Sequence, residues 1–313
     1  MASPSRPSRL RTLALWAIVT NVAIVFTGGL VRVTGSGLGC PTWPTCDGET
    51  VIPRPGGDHA GWQTGIEFGN RLMTFVVLAV AIGVTVQAWR RRHELPKSFL
   101  RLAFALPAGV LAQAVLGGVT VLLELSPLLV ASHFLLSMVL IALAVALHER
   151  ARGDDAAPPA AGVRWATTAL AVVGGAVLVL GTLVTAAGPH AGDPGTPRLP
   201  LDIRTMAIAH ADGVWLLVGL TVALVAVTWR QGPPRLRQAA VALLAVELAQ
   251  GVIGYTQYAL GIPEALVAVH ILGAALVWTA VVAVWVRARP RPAPEGDRTP
   301  AASATTEAAV DAR

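Results

Sequence analysis

Long apolar runs, separated by short polar segments, recur along the whole chain. Eight of these runs reach about 20 residues, which is the length of an α-helix that crosses roughly 30 Å of hydrocarbon. Only helices and closed barrels satisfy their backbone hydrogen bonds in lipid, and runs of this length favour helices. The pattern therefore predicts an all-α integral membrane protein with transmembrane helices over residues 13–33, 66–89, 100–123, 127–148, 164–187, 205–228, 236–259 and 263–286.

The second half of the chain repeats the pattern of the first half. The segment from Leu248 to His270 follows the segment from Leu111 to His133 at an offset of 137 residues. A second match, at an offset of 153, aligns Gly28–Gly37 with Gly181–His190. The identities in register include positions 111, 113, 115, 117, 130 and 133, which recur at positions 248, 250, 252, 254, 267 and 270. This repeat predicts two pseudo-symmetric four-helix bundles.

The repeat also divides the chain into parts. The two predicted bundles cover residues 13–148 and 164–287, and a linker over residues 149–163 joins them. Residues 1–12 are predicted to be an N-terminal tail. The C-terminal tail, residues 288–313, is rich in Pro, Ala and Thr, a composition typical of disorder.

Basic residues lie mainly at one set of helix ends. Of the 24 Lys and Arg residues, 19 fall in the tails, the linker or the short turns on the same side of the predicted membrane. The positive-inside rule places that side, and with it both termini, in the cytoplasm, as expected for a multi-pass protein of the plasma membrane. The net charge of +6 thus follows from topology and does not indicate a nucleic-acid partner.

Both cysteines of the chain, Cys40 and Cys46, lie in the predicted outer loop over residues 34–65. Because that side of the membrane is oxidising and five intervening residues form a closable ring, the sequence predicts a disulfide. Two interpretations of the pair stay open. It is either a staple for a loop rich in Gly and Pro, or a redox-active pair close to a membrane cofactor.

Four polar residues lie in one shallow layer of the predicted bundles. Asn70, His133, His210 and His270 each fall four to seven residues into a helix, or roughly 6–11 Å below the outer boundary. An ionisable residue in a membrane span is a functional hypothesis by default. A lone histidine in such a helix usually bonds to a neighbouring group, but three histidines at depths related by the repeat favour ligation.

His210 and His270 are predicted to face each other from the second and fourth helices of the second bundle. Two neutral imidazoles in this arrangement are typical of the axial ligands of haem. A structural zinc site is usually held by four protein ligands from cysteine, histidine and carboxylate side chains, more than this pair of histidines supplies.

Three sequence motifs resemble those of the haem A synthase family, over residues 12 to 287. They are GGLVRVTGSGLGCPTWPTC from Gly28 to Cys46, EFGNRL from Glu67 to Leu72, and the histidines at positions 133, 210 and 270 on helices 4, 6 and 8. The resemblance implies oxidation of a methyl group of haem O to a formyl group through a hydroxymethyl intermediate, which yields haem A for cytochrome oxidase.

The same resemblance implies where the haems bind. The N-terminal half would hold haem O as the substrate, and the C-terminal half would hold haem B between His210 and His270. Glu67 would be required for activity, and Cys40 and Cys46 would be the cysteine pair found in many bacterial members. The implied partners are haem O synthase and cytochrome oxidase assembly factors, with membrane lipid around the helices and a homo-oligomer as a further expectation.

The chain departs from the family pattern at Asn70. The family usually has EFxHR where this chain has EFGNR, and an amide is a poor iron ligand. His133 would then hold the substrate haem from one face and leave the other face open. Two interpretations follow: Asn70 hydrogen-bonds a water or oxygen species bound to the iron and the site stays catalytic, or the chain binds haem without completing the oxidation. We favour the active variant, because Glu67, Arg71 and the loop motif are all in place.

Three charged residues at the outer helix ends are candidates for supporting roles. Glu67 lies one helical turn before Asn70, where a partly dry carboxyl group is suited to pass protons; its alternative role is a salt bridge with Arg71. Arg32 and Arg71 are suited to bind haem propionates, because arginine grips carboxylates bidentately. Their alternative role is to anchor the helix ends. Gln113 and Gln250 are predicted to bridge helices by hydrogen bonds.

Two other functional classes are alternatives to this prediction. A transporter built from repeats would need broken helices and acidic residues near the middle of the membrane, where the sequence offers only Glu247. A b-type membrane cytochrome or a haem carrier would bind haem without oxidising a methyl group. A cytochrome with two symmetric haems would carry a fourth histidine in place of Asn70.

Overall fold

The computed structural model describes residues 9–54, 60–152 and 159–290, and over these ranges the chain forms eight α-helices and no strand. All eight helices are long and apolar enough to cross a membrane, which confirms the predicted fold class. The helices are α1 (Arg9–Val33), α2 (Gly61–Arg90), α3 (Lys97–Leu122), α4 (Pro127–Arg150), α5 (Ala161–Ala187), α6 (Ile203–Gln231), α7 (Pro234–Ala259) and α8 (Glu264–Arg287).

Most helices extend beyond the apolar runs that predicted them, because a helix continues into its polar flanks. The largest difference is at α2, which begins at Gly61 rather than at residue 66. Similarly, α1 begins at Arg9, so part of the predicted N-terminal tail is helical. The N-cap of α6 is Asp202, whose carboxylate accepts a hydrogen bond from the Thr205 backbone N–H, and this bonding lowers the pKa of Asp202. The predicted disordered C-terminal tail lies almost entirely outside the described residues.

The helices form two four-helix bundles with the same connectivity. In the first bundle, α1 packs on α2, α2 on α3, α3 on α4, and α4 on α1. In the second bundle, α5 to α8 close in the same order. The bundles meet through α1 with α8, α4 with α8, and α4 with α5. A rotation that exchanges the two halves turns the contact of α1 with α8 into that of α5 with α4, and it turns the contact of α4 with α8 into itself. The observed contacts therefore fit a pseudo-two-fold axis between α4 and α8.

One hydrogen bond is repeated in both bundles and demonstrates the pseudo-symmetry at the level of single atoms. Gln113 Nε2 on α3 donates to the backbone carbonyl of His133 on α4, at 2.6 Å. Gln250 Nε2 on α7 donates to the backbone carbonyl of His270 on α8, at 2.7 Å. Both glutamines therefore bridge helices, as predicted, and each one ties the helix that carries a histidine to its neighbour.

Near the outer surface, backbone carbonyls and an arginine link the two halves. Arg32 at the end of α1 donates from Nη2 to the carbonyl of Thr185, at 2.7 Å, and from Nε to the carbonyl of His190, at 2.5 Å. The backbone N–H of Gly37 donates to the carbonyl of Gly192, at 2.8 Å. The outer segments that follow α1 and α5 are thereby held against each other.

Two further links cross between the bundles along α4 and α8. The Trp278 indole N–H on α8 donates to the carbonyl of Met138 on α4, at 2.8 Å. At the opposite end of the same helices, Arg287 binds the buried Glu149 carboxylate through two bonds of 2.7 and 2.8 Å, with Arg152 a further 3.4 Å contact. Apolar side chains fill the space between these links, so the two bundles form one continuous core.

We expect Arg287→Met to destabilise the protein because it removes the bidentate partner of a buried carboxylate. The expected loss is about 2 kcal/mol, less than the roughly 3–5 kcal/mol typical of breaking a buried pair, because Arg152 still contacts Glu149. The measurement is the Tm in detergent. Arg91→Met is the matched control, since the Arg91–Glu94 pair is exposed and contributes at most about 1 kcal/mol. Equal Tm values for the two variants would contradict this account.

Candidate functional site

His210 on α6 and His270 on α8 face each other inside the second bundle. Their ring centroids are 6.4 Å apart and their planes are inclined by 67°, so the rings are not stacked. His210 Nδ1 lies 3.1 Å from the Val177 carbonyl oxygen on α5. Because a carbonyl only accepts hydrogen bonds, Nδ1 carries the proton and Nε2 keeps its lone pair. The His210 ring is thus held in the tautomer that a metal requires at Nε2.

Glycines on the neighbouring helices allow both rings to lie against the backbone. A Cβ atom at Gly254 on α7 would lie 3.1 Å from His270 Cε1, and one at Gly181 on α5 would lie 3.2 Å from His210 Cε1. His270 Nδ1 is buried and has no hydrogen-bond partner among the residues that the structure describes. No hydrogen bond at Nδ1 therefore fixes which ring nitrogen of His270 carries the proton.

The two imidazoles suit a metal that lies between them and takes its other ligands from a non-protein group. They suit less well a metal that is held by protein side chains alone. Bonds from a metal ion to imidazole nitrogen are about 2 Å long, so rings on opposite sides of one ion have centroids about 6 Å apart. The described part of the chain contains no group of three or more His, Cys, Asp or Glu residues that could hold a metal. A metal whose remaining ligands come from a macrocycle, as in haem, fits this donor set.

The first bundle repeats the site with one change. His133 on α4 lies against Gly117 on α3, where a Cβ atom would be 2.9 Å from His133 Cε1, and its Nδ1 is again buried without a partner in the described ranges. Asn70 on α2 lies near Gly28 on α1, where an added Cβ atom would be 4.0 Å from both amide atoms of Asn70. Gly28 aligns with Gly181, so Asn70 occupies the slot that His210 occupies in the second bundle, as the repeat predicts.

The outer loop is folded onto the start of α2 by Arg71. Cys40 and Cys46 form the predicted disulfide. The Arg71 guanidinium donates to the carbonyls of Cys40, Thr42 and Thr45 at 2.6–3.1 Å. Its remaining N–H groups bind Glu67 Oε1 at 2.7 and 3.2 Å. All five N–H donors of Arg71 are in use, so a haem propionate would have to displace one of these bonds.

Glu67 is buried beneath the same loop. Its Oε2 accepts the Cys40 backbone N–H at 2.6 Å, and its Oε1 pairs with Arg71 at 2.7 Å. The salt bridge weighed as the alternative role of Glu67 is therefore present. Its predicted catalytic role stays a prediction. The motifs from Gly28 to Cys46 and from Glu67 to Leu72 are brought together by these contacts, although they belong to separate segments of the chain.

The rest of the loop covers the outer end of the first bundle. The Trp43 indole packs on Gly118 of α3, directly beside the glycine that contacts His133. Farther out, the backbone and hydroxyl of Thr50 and the backbone of Glu49 donate to Asp47, which lowers the pKa of Asp47 to about 2. The Asp47 carboxylate in this turn therefore stays ionised at neutral and mildly acid pH.

Arg32 lies between the two halves rather than wholly within the first site. Its Nη2 group binds the Thr185 carbonyl in the last turn of α5, and its Nε group binds the His190 carbonyl just after that helix. Its Nη1 group makes no hydrogen bond to the residues that the structure describes. Of the two arginines predicted to bind propionates, only Arg32 keeps free donors.

Sequence reasoning missed Thr27, which donates from its hydroxyl to Asn70 Oδ1 at 2.7 Å. The signal that was available is the repeat itself, because Thr27 immediately precedes Gly28, one of the aligned glycines. The roles of Gly117, Gly181 and Gly254 were also missed as ring contacts, although all three recur in the aligned segments.

We expect Arg71→Leu to loosen the outer loop, because three loop carbonyls and Glu67 lose their charged donor. Reduction of the Cys40–Cys46 disulfide by a phosphine reductant should become about tenfold faster, the effect of losing hydrogen bonds to a charged group. The control is Arg54→Leu, which removes an exposed ion pair with Glu49 from the same loop. Equal reduction rates in both variants would show that Arg71 does not hold the loop.

Comparison with known proteins identifies the relatives of this chain. The family model described as cytochrome oxidase assembly protein matches residues 11–282. The heme A synthase of Lysinibacillus sphaericus is 33% identical over 182 residues, which cover 56% of this chain and 57% of that protein. The heme A synthase of Alkalihalophilus pseudofirmus is 30% identical over 141 residues, covering 44% and 46%. That of Methylobacterium radiotolerans is 32% identical over 163 residues, covering 50% and 44%.

The chain thus matches about half the length of these curated relatives. The family model, in contrast, extends over most of the chain and includes all four helices of each bundle. The chain therefore belongs to the cytochrome oxidase assembly protein family.

Proposed function

We propose that this chain is a haem A synthase, which oxidises a methyl group of haem O to a formyl group through a hydroxymethyl intermediate. The observation that carries the proposal is the pairing of a two-histidine site in one bundle with a one-histidine site in the matching position of the other. Two identical sites would suit electron transfer alone. A two-histidine site suits a resident cofactor, and a one-histidine site in the other bundle suits a substrate. The names of the curated relatives support the same activity.

His210 and His270 hold haem B as a resident cofactor in the second bundle. The Val177 carbonyl orients the first ring, and Gly181 and Gly254 leave both rings room to lie against the helix backbones. The Cε1–Nδ1 edge of each ring lies against a glycine, so the rings are closely packed between neighbouring helices. This bundle therefore supplies a rigid site, as a cofactor that remains bound through many turnovers requires.

His133 holds haem O as the substrate in the first bundle, with Asn70 on the opposite side. Oxidation of an unactivated methyl group is beyond side-chain chemistry, so the iron of bound haem supplies it. The protein positions the substrate and excludes water. The disulfide loop, held by Arg71 and Glu67, covers the outer end of this bundle and performs the second task.

Glu67 passes protons in this proposal. It lies one turn before Asn70 on α2, and residues three apart share a face of a helix. In the resting structure its carboxylate is bound by Arg71 and by the Cys40 N–H. The carboxylate accepts a proton when either bond lengthens, so the loop and the proton acceptor are coupled.

The protein lies in the plasma membrane with both termini in the cytoplasm and the disulfide loop outside. The distribution of basic residues supports this topology. Haem O synthase is the partner that supplies the substrate, and cytochrome oxidase assembly factors receive the product. A haem-binding relative without methyl oxidation is the second candidate, because Asn70 replaces the histidine that the family usually has.

The test of this function is the haem content of a host that lacks its own haem A and co-expresses this chain with a haem O supplier. Mass spectrometry of extracted haems should detect haem A or its hydroxymethyl precursor. An extract that contains only haem B and haem O would favour the second candidate. Asn70→His is then the variant that shows whether the amide is the cause.

We expect Gly254→Ala to disturb the resident haem B, because the added methyl group would lie 3.1 Å from His270 Cε1 and the ring would have to shift by a few tenths of an ångström. The haem B absorbance per protein should fall at least about tenfold if the ligand is displaced. Gly251→Ala on the same helix is the matched control, since nothing lies within 4 Å of the position of its Cβ. Equal absorbance in both variants would contradict the assignment of His270.

We expect Glu67→Gln to retain the loop but to lose activity, because an amide oxygen still accepts the Cys40 N–H while the group no longer takes up a proton. Formation of haem A should fall by about 100-fold, as is typical on removal of a proton-transfer group. Glu67→Ala should lose activity and also expose the disulfide to reductant. Normal haem A yield from Glu67→Gln would limit Glu67 to a structural role.

A further inference from the structure

The two halves differ at a pair of neighbouring positions, not only at Asn70. At the offset that aligns Gly28 with Gly181, Thr27 aligns with Leu180. The first bundle therefore has a hydroxyl and an amide where the second bundle has an apolar side chain and His210. Thr27 and Asn70 are hydrogen-bonded to each other. We therefore treat the two differences between the halves as one structural feature.

The geometry of this pair fixes the amide in one orientation. Thr27 Oγ1 lies 2.7 Å from Asn70 Oδ1 and 3.1 Å from the carbonyl of Ile24. A hydroxyl has one proton to donate, and the shorter contact, to Asn70, is the stronger hydrogen bond. Asn70 Nδ2 makes no hydrogen bond within the described ranges. It is the end of the amide that remains available to the site.

The second bundle uses the corresponding backbone carbonyl differently. Ile24 aligns with Val177, whose carbonyl holds the His210 ring through Nδ1. In the first bundle the Ile24 carbonyl lies beside the Thr27 hydroxyl instead. The same turn of helix thus orients an imidazole in one half and, through a hydroxyl, an amide in the other.

We propose that Thr27 is a positioning residue that directs the Asn70 N–H group, rather than a metal-binding nitrogen, into the substrate site. The inference rests on the proposed function, because it assumes that haem O binds at His133. It deepens that function in one respect. The side of the site opposite His133 is a hydrogen-bond donor site for a small polar or anionic ligand.

This arrangement differs in its chemistry from the two-histidine site. An amide nitrogen has no available lone pair and donates only, whereas the imidazole Nε2 of His210 is held as an acceptor. A donor beside an open coordination position stabilises a bound anion, and fixing the donor beforehand avoids the cost of ordering it at the moment of binding. The one-histidine site is therefore predicted to take up anions that the two-histidine site excludes.

The test uses the full-length protein, purified from a host that supplies haem O and oxidised to the ferric state. Azide is the probe, because it is an anion that accepts hydrogen bonds and binds ferric haem at an open position. We expect wild-type protein to bind azide at one haem and leave the spectrum of the other unchanged. Thr27→Val should weaken azide binding about tenfold, the effect of losing one oriented hydrogen bond, and Thr27→Ser should restore it.

The matched control is Thr20→Val on the same helix, whose hydroxyl bonds only to carbonyls of α1 itself. It should leave azide affinity unchanged. Asn70→His should abolish azide binding, because a second imidazole would fill the open position. The spectrum of haem B in the second bundle reports correct folding of every variant.

Three results would overturn the inference. Azide affinity that is equal in wild type and Thr27→Val would show that the hydroxyl does not position the amide. A wild-type protein that retains haem O but binds no azide would show that the site is closed. Absence of haem O, of its hydroxymethyl product and of haem A alike from the purified protein and the host extract would overturn the proposed function together with this inference, which separates that failure from the first two.

Discussion

The structure depends on the close approach of a glycine on one helix to a histidine ring on the next. The contact occurs three times, between Gly117 and His133, Gly181 and His210, and Gly254 and His270. In lipid, helices gain little from the hydrophobic effect and associate through tight packing at small residues. A side chain at any of these glycines would move either the helix or the ring. The spacing of the helices and the position of the imidazoles are therefore set by the same residues.

This shared frame explains how one duplicated fold supports two different sites. Gln113 and Gln250 fasten the helices that carry His133 and His270 in the same way, so the scaffold around each histidine is conserved between the halves. The differences lie at the outer end of the first bundle. There the polar pair of Thr27 and Asn70 replaces an apolar residue and a histidine, and a disulfide loop covers the opening.

Much of this arrangement was predictable from the sequence. Long apolar runs predicted the eight helices, and the repeat placed Asn70 in the slot of His210 because a duplicated fold conserves depth. The repeated motif also predicted the glutamine bridges. The disulfide followed from two cysteines in one loop on the oxidising side.

Contacts between distant segments were not predictable in the same way. Periodicity identifies which face of a helix is buried, but it carries no information on how a loop returns to a helix. The three loop carbonyls bound by Arg71 and the carbonyls of the second half bound by Arg32 are backbone groups, and backbone groups leave no signature in the sequence. The contact of Thr27 with Asn70 was not predictable for a related reason. The hydroxyl of a threonine in a membrane helix usually bonds to a carbonyl of its own helix, as that of Thr20 does.

The central claim is that the resident haem and the substrate haem occupy different bundles. It is tested most directly by the haem spectra of full-length His133→Ala and His210→Ala, produced in a host that makes haem B but no haem O. The account predicts that His210→Ala loses the haem B spectrum and that His133→Ala keeps it. Loss of the spectrum in His133→Ala, with retention in His210→Ala, would contradict it.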